Sequence, residues 1–288
     1  MAKPKKVFVI DVAKCNGCHS CQIVCKDEHV ANDWTPIAKP QPDIGQFWIE
    51  VTERVRGTVP KVKVAYRPHL CMHCDQAPCI ESCPVTGALY KREDGLVIVD
   101  PVKCTGCRLC VDACPYEGVI YFNEDLNIAQ KCTGCAHLLD DGWTEPRCAD
   151  ACPTLAIRFL DESEAKELMA QGEVWRPELK DKVKPRVYYL NLPKKFIAGT
   201  VYDPVEEEVV IGASVSLKPT GGAAAKAGGK AGAGAPKTIK TDSYGDFWFE
   251  GLPDGVYDVE ITSGKKSQVF KGLDTAVADI NLGDIALT

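Results

Sequence analysis

The sequence predicts an α+β protein in two parts: a cysteine-rich first part of short strands and helical turns, then a small all-β antiparallel sandwich. Three observations predict it. Sixteen cysteines all lie between Cys15 and Cys152, and the remainder of the chain contains none. The runs between them are short, rich in β-branched and aromatic residues, and bounded by turn formers. From Phe196 onward, brief alternating segments are separated by Gly, Pro, Asp and Asn. A length of 288 residues suits about two domains, and 45% hydrophobic with 26% charged residues is a soluble globular balance.

Taken in order, VFVI at 7–10 reads as a first strand. The amino-terminal run is interrupted by Asp11 and has no small-residue cleavage site before Cys15, so neither a secretory nor a twin-arginine signal is expected. ALY and LVIV flank the turn KREDG at 91–95, and VIYF follows at 119–122; these read as hairpin strands. The segment from Val30 to Pro42, with Trp34 and three prolines, reads as an insertion. DESEAKELMAQ at 161–171 has early acidic residues and apolar ones at helical spacing, which predicts a short amphipathic helix. Trp175 to Lys195 has no regular apolar period and is expected to be an extended arm. The expected division is therefore 1–195 and 196–288. In the second part IAGTVY, ASVSLK, KTIKTD, DFWFEG, YDVEIT, SQVFKG and ADINLGDIAL are the expected strands. The low-complexity tract 219–236 is expected to be a flexible loop between two of them.

The cysteines form four groups of four: Cys15, Cys18, Cys21, Cys25; Cys71, Cys74, Cys79, Cys83; Cys104, Cys107, Cys110, Cys114; and Cys132, Cys135, Cys148, Cys152. The first and third have the spacing Cx2Cx2Cx3C, the second Cx2Cx4Cx3C and the fourth Cx2Cx12Cx3C. Three closely spaced thiolates on a tight loop can wrap one iron-sulfur cluster, while the fourth is placed to ligate a neighbouring one. Pro84, Pro115 and Pro153 follow the last cysteine of three groups and turn the chain away. A disulfide framework belongs to small secreted domains. A zinc site is normally built from two separated pairs. The pattern favours clusters over both.

Internal repetition agrees. DVAKCNGCHSCQIVC at 11–25 aligns with DPVKCTGCRLCVDAC at 100–114, and KCTGC recurs at 131–135. Gly17, Gly106 and Gly134 sit in the middle of these loops, where a missing Cβ permits positive φ and close approach to a cluster. Lys14, Lys103 and Lys131 precede the first cysteine of each repeat and are candidates to offset cluster charge. His19, His29, His69, His73 and His137 lie near cysteines, but with sixteen thiols accounted for they are expected to pack. Trp34, Trp48 and Arg67-Pro68-His69 are open to either packing or partner contact. GxSxG, HExxH and phosphate-loop motifs are absent, so no catalytic residues are expected.

These four groups, in this order and with an enlarged fourth loop, resemble the four-cluster ferredoxin-like subunits of the dimethyl sulfoxide reductase family of molybdopterin enzymes. The resemblance implies tandem ferredoxin-like modules and four [4Fe–4S] clusters with crossed ligation. One cluster would take Cys15, Cys18, Cys21 and Cys152, and its neighbour Cys132, Cys135, Cys148 and Cys25. The other pair would be Cys71, Cys74, Cys79 with Cys114, and Cys104, Cys107, Cys110 with Cys83. It further implies a heterodimer in which this non-catalytic chain passes electrons to or from the molybdopterin, with Mo or W, of a large catalytic subunit. An external electron carrier or a membrane anchor subunit would be a further partner.

The run TDSYGDFWFEGLPDGVYDVEI resembles the carboxypeptidase-regulatory-like, Ig-like sandwiches. A sandwich appended to a cluster chain is similar to the small subunits of the pyrogallol-phloroglucinol transhydroxylase group and related aromatic hydroxylases, as are CMHC at 71–74, AQKCTGCAHLLDD and KPRVYYLNL. That implies a (poly)hydroxylated aromatic substrate; arsenate or polysulfide reduction and a free-standing polyferredoxin are the alternatives. The group's pattern has lost ligands in the third cysteine group, whereas Cys104, Cys107 and Cys110 are all present here. A complete set implies net electron exchange with an outside carrier.

The formal charge of −6 gives no basic field for nucleic acid. No apolar stretch approaches the roughly 20 residues needed to span a bilayer, so direct membrane insertion is not expected. The expected location is cytoplasmic, or periplasmic by co-export with a signal-bearing catalytic subunit. Before residue 196 there are 26 basic and 27 acidic residues. Four oxidised four-iron clusters with their thiolates would add roughly −8 to that part.

Overall fold

The apolar run VFVI becomes the middle of β1 (Lys6–Asp11), in which every residue after Lys6 is buried. A strand covered on both faces needs a continuous apolar run rather than an alternating one. It pairs antiparallel with β8 (Ile157–Asp161) and parallel with β9 (Val187–Leu190), giving the order β8-β1-β9. The computed structural model describes residues 4–221 and 236–288.

Two expectations are corrected here. The stretch Trp175–Lys195 is not a plain extended arm: it holds a 3-10 turn at Pro177–Leu179, α7 (Lys180–Val183) and β9. Val187 and Tyr189 are fully buried, so burial against β1 supplies the order that periodicity did not reveal. The helix expected over 161–171 is only α6 (Lys166–Gln171), because Asp161 still pairs with Lys6 in the sheet.

The cysteines ride on short helices and the turns before them. These are α1 (Ser20–Val30), α2 (Pro78–Glu81), α3 (Leu109–Asp112), α4 (Ala136–Asp140) and α5 (Arg147–Asp150). The expected hairpin is β4 (Leu89–Lys91) with β5 (Val97–Val99); the expected strand VIYF is β6 (Ile120–Asn123), which pairs with β7 (Ile128–Lys131), a strand the sequence did not announce. A further two-stranded ribbon, β2 (Ile49–Thr58) with β3 (Lys61–Leu70), had no counterpart in the sequence reading. Its strands carry charged residues on many positions, which hides the alternation that would identify them.

The chain divides into two compact units, Met1–Arg54 with Ala65–Leu192, and Val55–Val64 with Pro193–Thr288. The linear boundary at 195 is thus modified, since the tip of the β2–β3 ribbon belongs to the second unit. Trp48, Phe8, Leu70, Met72 and Ile98 anchor the core of the first.

The second unit buries Ile197, Val201, Val215, Phe247, Val259 and Ile261 between two sheets. One sheet is β12 (Ser214–Gly221) flanked by β13 (Lys237–Lys240) and β15 (Val256–Ser263), with β16 (Lys266–Asp274) beyond, all antiparallel. In the other, β10 (Lys195–Asp203) pairs antiparallel with β14 (Asp246–Leu252) and with the short β11 (Glu208–Val209). It pairs parallel with β17 (Ile280–Ala286). The sandwich is therefore mixed rather than wholly antiparallel. β17 arrives after a crossover from the opposite sheet, so no tight hairpin forces it to run antiparallel. Of the tract 219–236, Pro219–Gly221 finish β12 and the rest up to 235 lies outside the described residues.

Candidate metal centres

Each CxGC loop, taken with the residue that follows it, makes two departures into the left-handed region. Gly17 and His19 have φ of 72° and 58°, Gly106 and Arg108 73° and 62°, and Gly134 and Cys135 62° and 49°. These turns coil the backbone so that neighbouring thiols converge. A Cβ on Gly17 would stand 2.6 Å from the Tyr66 ring, one on Gly106 2.5 Å from Asn127, and one on Gly134 2.8 Å from Leu96. The positive φ expected at these glycines is thus present, and the packing outside the loop adds a second reason for the missing Cβ.

All sixteen cysteines are free thiols. Cys15, Cys18, Cys21 and Cys152 stand close enough for their thiolate charges to oppose one another; burial first and this repulsion second push Cys21 up to about 12. Cys74 is raised in the same way by burial and by Cys71, Cys79 and Cys114. Cys148 is raised by burial and by Cys135, Cys132 and Cys25. Those last four thiols line a cavity together with His29, Trp48, Ile49 and Thr133. Cys83, Cys104, Cys107 and Cys110 line another. The final cysteine of each motif therefore stands with the first three of a different motif.

Neighbouring sets also touch electrostatically. Cys110 is raised partly by Cys79, Cys132 by Cys71, and Cys148 by Cys21. Cys18 and Cys107 are exposed, whereas Cys25, Cys71, Cys79, Cys132, Cys135 and Cys148 are buried.

The donor set fits iron-sulfur clusters. Among the described residues, no three His, Cys, Asp or Glu side chains are gathered tightly enough to hold one ion; the thiols surround cavities instead. Buried thiolates without metal are unfavourable, as their raised values express, and coordination removes that penalty. Backbone N–H groups are directed at the sulfurs: Gly134 to Cys132 at 3.4 Å, Ile49 to Cys25 and Arg147 to Cys135. Such bonds tune cluster potential. Trp48 Nε1 and Thr133 Oγ1 are buried with no protein partner beside the Cys25 cavity, as donors toward cluster sulfur would be.

Residues 62–162 match the family model of the 4Fe-4S dicluster domain, and residues 197–288 that of the carboxypeptidase regulatory-like domain. The pyrogallol hydroxytransferase small subunit of Pelobacter acidigallici is 42% identical over 97% of this chain and 98% of its own. The arsenate respiratory reductase iron-sulfur subunit of a Shewanella species is 32% identical over 64% of this chain and 95% of its own. The chain belongs to the iron-sulfur electron-transfer subunits of the molybdopterin oxidoreductases. The thiosulfate reductase electron transfer subunit of Salmonella typhi, 35% identical over 60% of this chain and 85% of its own, is another similar protein.

Around the thiols of this iron-sulfur subunit, His29, His69, His73 and His137 pack, and His19 does not. His29 lies against Trp48 with ring centroids 4.5 Å apart, and burial depresses it to about 3. His73 accepts the Val97 N–H at 3.0 Å, and His69 meets Thr52 at 3.0 Å. His137 stacks on Trp34 at 4.3 Å and bonds Glu28. His19 is exposed beside Gln22. Arg67 lies 4.4 Å over the Trp175 ring.

The three repeat lysines part company. Lys14 and Lys103 are exposed, the latter 3.2 Å from Asp100, whereas Lys131 is 2% exposed. Thr133 was visible inside KCTGC but not singled out by the sequence reading. The place of Trp48 beside a cluster cavity carries no local sequence signal. Among the described residues no helix is long and apolar enough to cross a membrane.

Proposed function

We propose that this subunit carries single electrons through four [4Fe–4S] clusters, built as tandem ferredoxin-like pairs. The electrons pass to or from the molybdopterin, with Mo or W, of a large catalytic partner. The observation that carries it is the crossed grouping of all sixteen thiols into four sets, each touching the next in a row. That row runs from the set with Cys104, through those with Cys71 and Cys132, to the set with Cys15. When bound, the clusters supply one-electron chemistry. The chain's residues hold them in order, exclude water from the inner sets and aim N–H groups at sulfur. Exposed Cys18 and Cys107 lie in the two terminal sets, where electrons can enter and leave.

The substrate of the complex is proposed to be a (poly)hydroxylated aromatic. This rests on the relative named for pyrogallol hydroxytransfer, which aligns over 97% of the chain, against 64% and 60% for those named for arsenate and thiosulfate. The complete thiol set favours an external electron carrier as a further partner. A cytoplasmic location follows the same reading, with co-export as its alternative.

Native purification with metal analysis tests the proposal. A large Mo- or W-containing partner, about sixteen iron atoms per chain from four four-iron clusters, and turnover of pyrogallol-type substrates are expected. A monomer without such a partner would point to a polyferredoxin. Activity on arsenate or polysulfide alone would displace the aromatic assignment.

A further inference from the structure

Lys131 ends β7 and is 2% exposed, yet among the described residues it pairs with no carboxylate. Its ammonium donates to the Val97 carbonyl on β5 and to the Cys132 carbonyl at 3.1 Å. Its charge acts on Cys79 and Cys114 in one set, on Cys132 in the next, and on buried His73. Other cations near thiols differ in burial or pairing: Lys26 also acts on Cys25, but it is only half-buried and Asp43 lies near it. Lys91 is paired with Asp75 at 2.7 Å and Arg147 with Glu28 at 3.3 Å, so their fields are largely cancelled. Lys14 and Lys103, its counterparts in the repeats, face solvent, where screening weakens them.

We propose that the Lys131 ammonium is a shared buried charge that raises the reduction potentials of the two inner clusters and leaves the outer two unmoved. The inner clusters are those of Cys71, Cys74, Cys79, Cys114 and of Cys25, Cys132, Cys135, Cys148. The inference rests on the four-cluster reading above. Reduction adds one negative charge to a cluster, and burial away from water disfavours that charge. A neighbouring uncancelled cation in a low-dielectric interior opposes this effect, and its influence falls with distance to the outer sets. Lys131 thereby keeps the buried middle of the row accessible to electrons that enter from the exposed ends.

The test is a potentiometric titration of the intact complex followed by electron paramagnetic resonance, for wild type, Lys131→Met, Lys131→Arg and Lys103→Met. In Lys131→Met, two of the four midpoint potentials should fall, each by about tenfold in the reduction equilibrium or about 59 mV for one electron. Lys131→Arg and Lys103→Met should keep all four near wild type. If Lys131→Met does not load iron, Lys131→Gln retains a donor for the Val97 carbonyl and removes the charge. Unmoved potentials, or a shift in any number of clusters other than two, overturns the inference. Fewer than four clusters in the wild type overturns the four-cluster reading and this inference with it, whereas four clusters with unmoved potentials overturns the inference alone.

Discussion

The Arg186 Nη1 donates to both carboxylate oxygens of Asp75, at 3.0 Å each, while its Nη2 reaches Glu162 at 2.6 Å and its Nε the Lys6 carbonyl at 2.9 Å. Arg186 precedes β9, Asp75 follows the second cysteine of its motif, and Glu162 follows β8. One buried guanidinium therefore ties three distant segments around the cysteine sets. Arg186→Ala should lower the stability of the first unit by about 2 kcal/mol. The low end of the range for a broken buried charge pair applies because both carboxylates stay partly in water. Thermal unfolding of the iron-loaded protein checks this, and an unchanged midpoint would refute it.

How far the sequence revealed this arrangement depends on the length scale of each signal. The cysteine loops are local: spacing, Gly17 and Gly106 and their repeats state the turn within a few residues, so the motifs were readable. The β4–β5 hairpin and the strand β6 were readable for the same reason, whereas β7, the partner of β6, was not. The parallel pairing of β9 with β1 links residues about 180 positions apart, and Arg186 carries no periodicity that announces it. The β2–β3 ribbon was hidden because its partly exposed strands lack clean alternation. The difference between Lys131 and Lys103 was likewise invisible, since identical KCTGC text is buried in one copy and exposed in the other.

Gly134 should be the less tolerant of two glycines in the left-handed region. Gly134→Ala places a methyl 2.8 Å from Leu96 at φ 62°, in the loop whose N–H meets Cys132. A cost of about 2–4 kcal/mol, from backbone strain and overpacking together, is expected, with reduced iron loading. Gly118 has φ 69° but open space around its missing Cβ, so Gly118→Ala should cost about 1 kcal/mol and load normally. Equal losses at both sites would show that the Leu96 contact is unimportant.

Cys25→Ser should damage the cluster of Cys132, Cys135 and Cys148 rather than that of its own motif. Its thiol lines their cavity and is raised, after burial, by Cys135 and Cys132. The expected readout is loss or alteration of one cluster signal, of up to about four irons, with the Cys15 set still loaded. Damage confined to the Cys15 set would sink the crossed grouping.

The tip of the β2–β3 ribbon should be part of the folding unit of the sandwich. Arg56 Nη1 lies 3.2 Å from Asp279 and 2.7 Å from the Lys194 carbonyl, and the paired side chains are only 10% and 6% exposed. Asp279 also accepts the Phe196 N–H at 2.9 Å. Lys61 pairs with Asp246, Lys63 with Glu250, and Asn281 donates to the Thr58 carbonyl at 3.0 Å. Arg56→Ala leaves the Asp279 carboxylate buried without its cation. It should cost about 2–4 kcal/mol, or at least about 8 °C in the melting of a domain of this size. Calorimetry of the iron-loaded chain resolves whether that loss falls on the sandwich transition. The fragment 193–288 should melt below the sandwich of the whole chain, because it lacks residues 55–64 and so leaves Asp246, Asp279 and Asn281 without these partners. A fragment as stable as the sandwich in the intact chain would show that the ribbon tip contributes nothing to its folding.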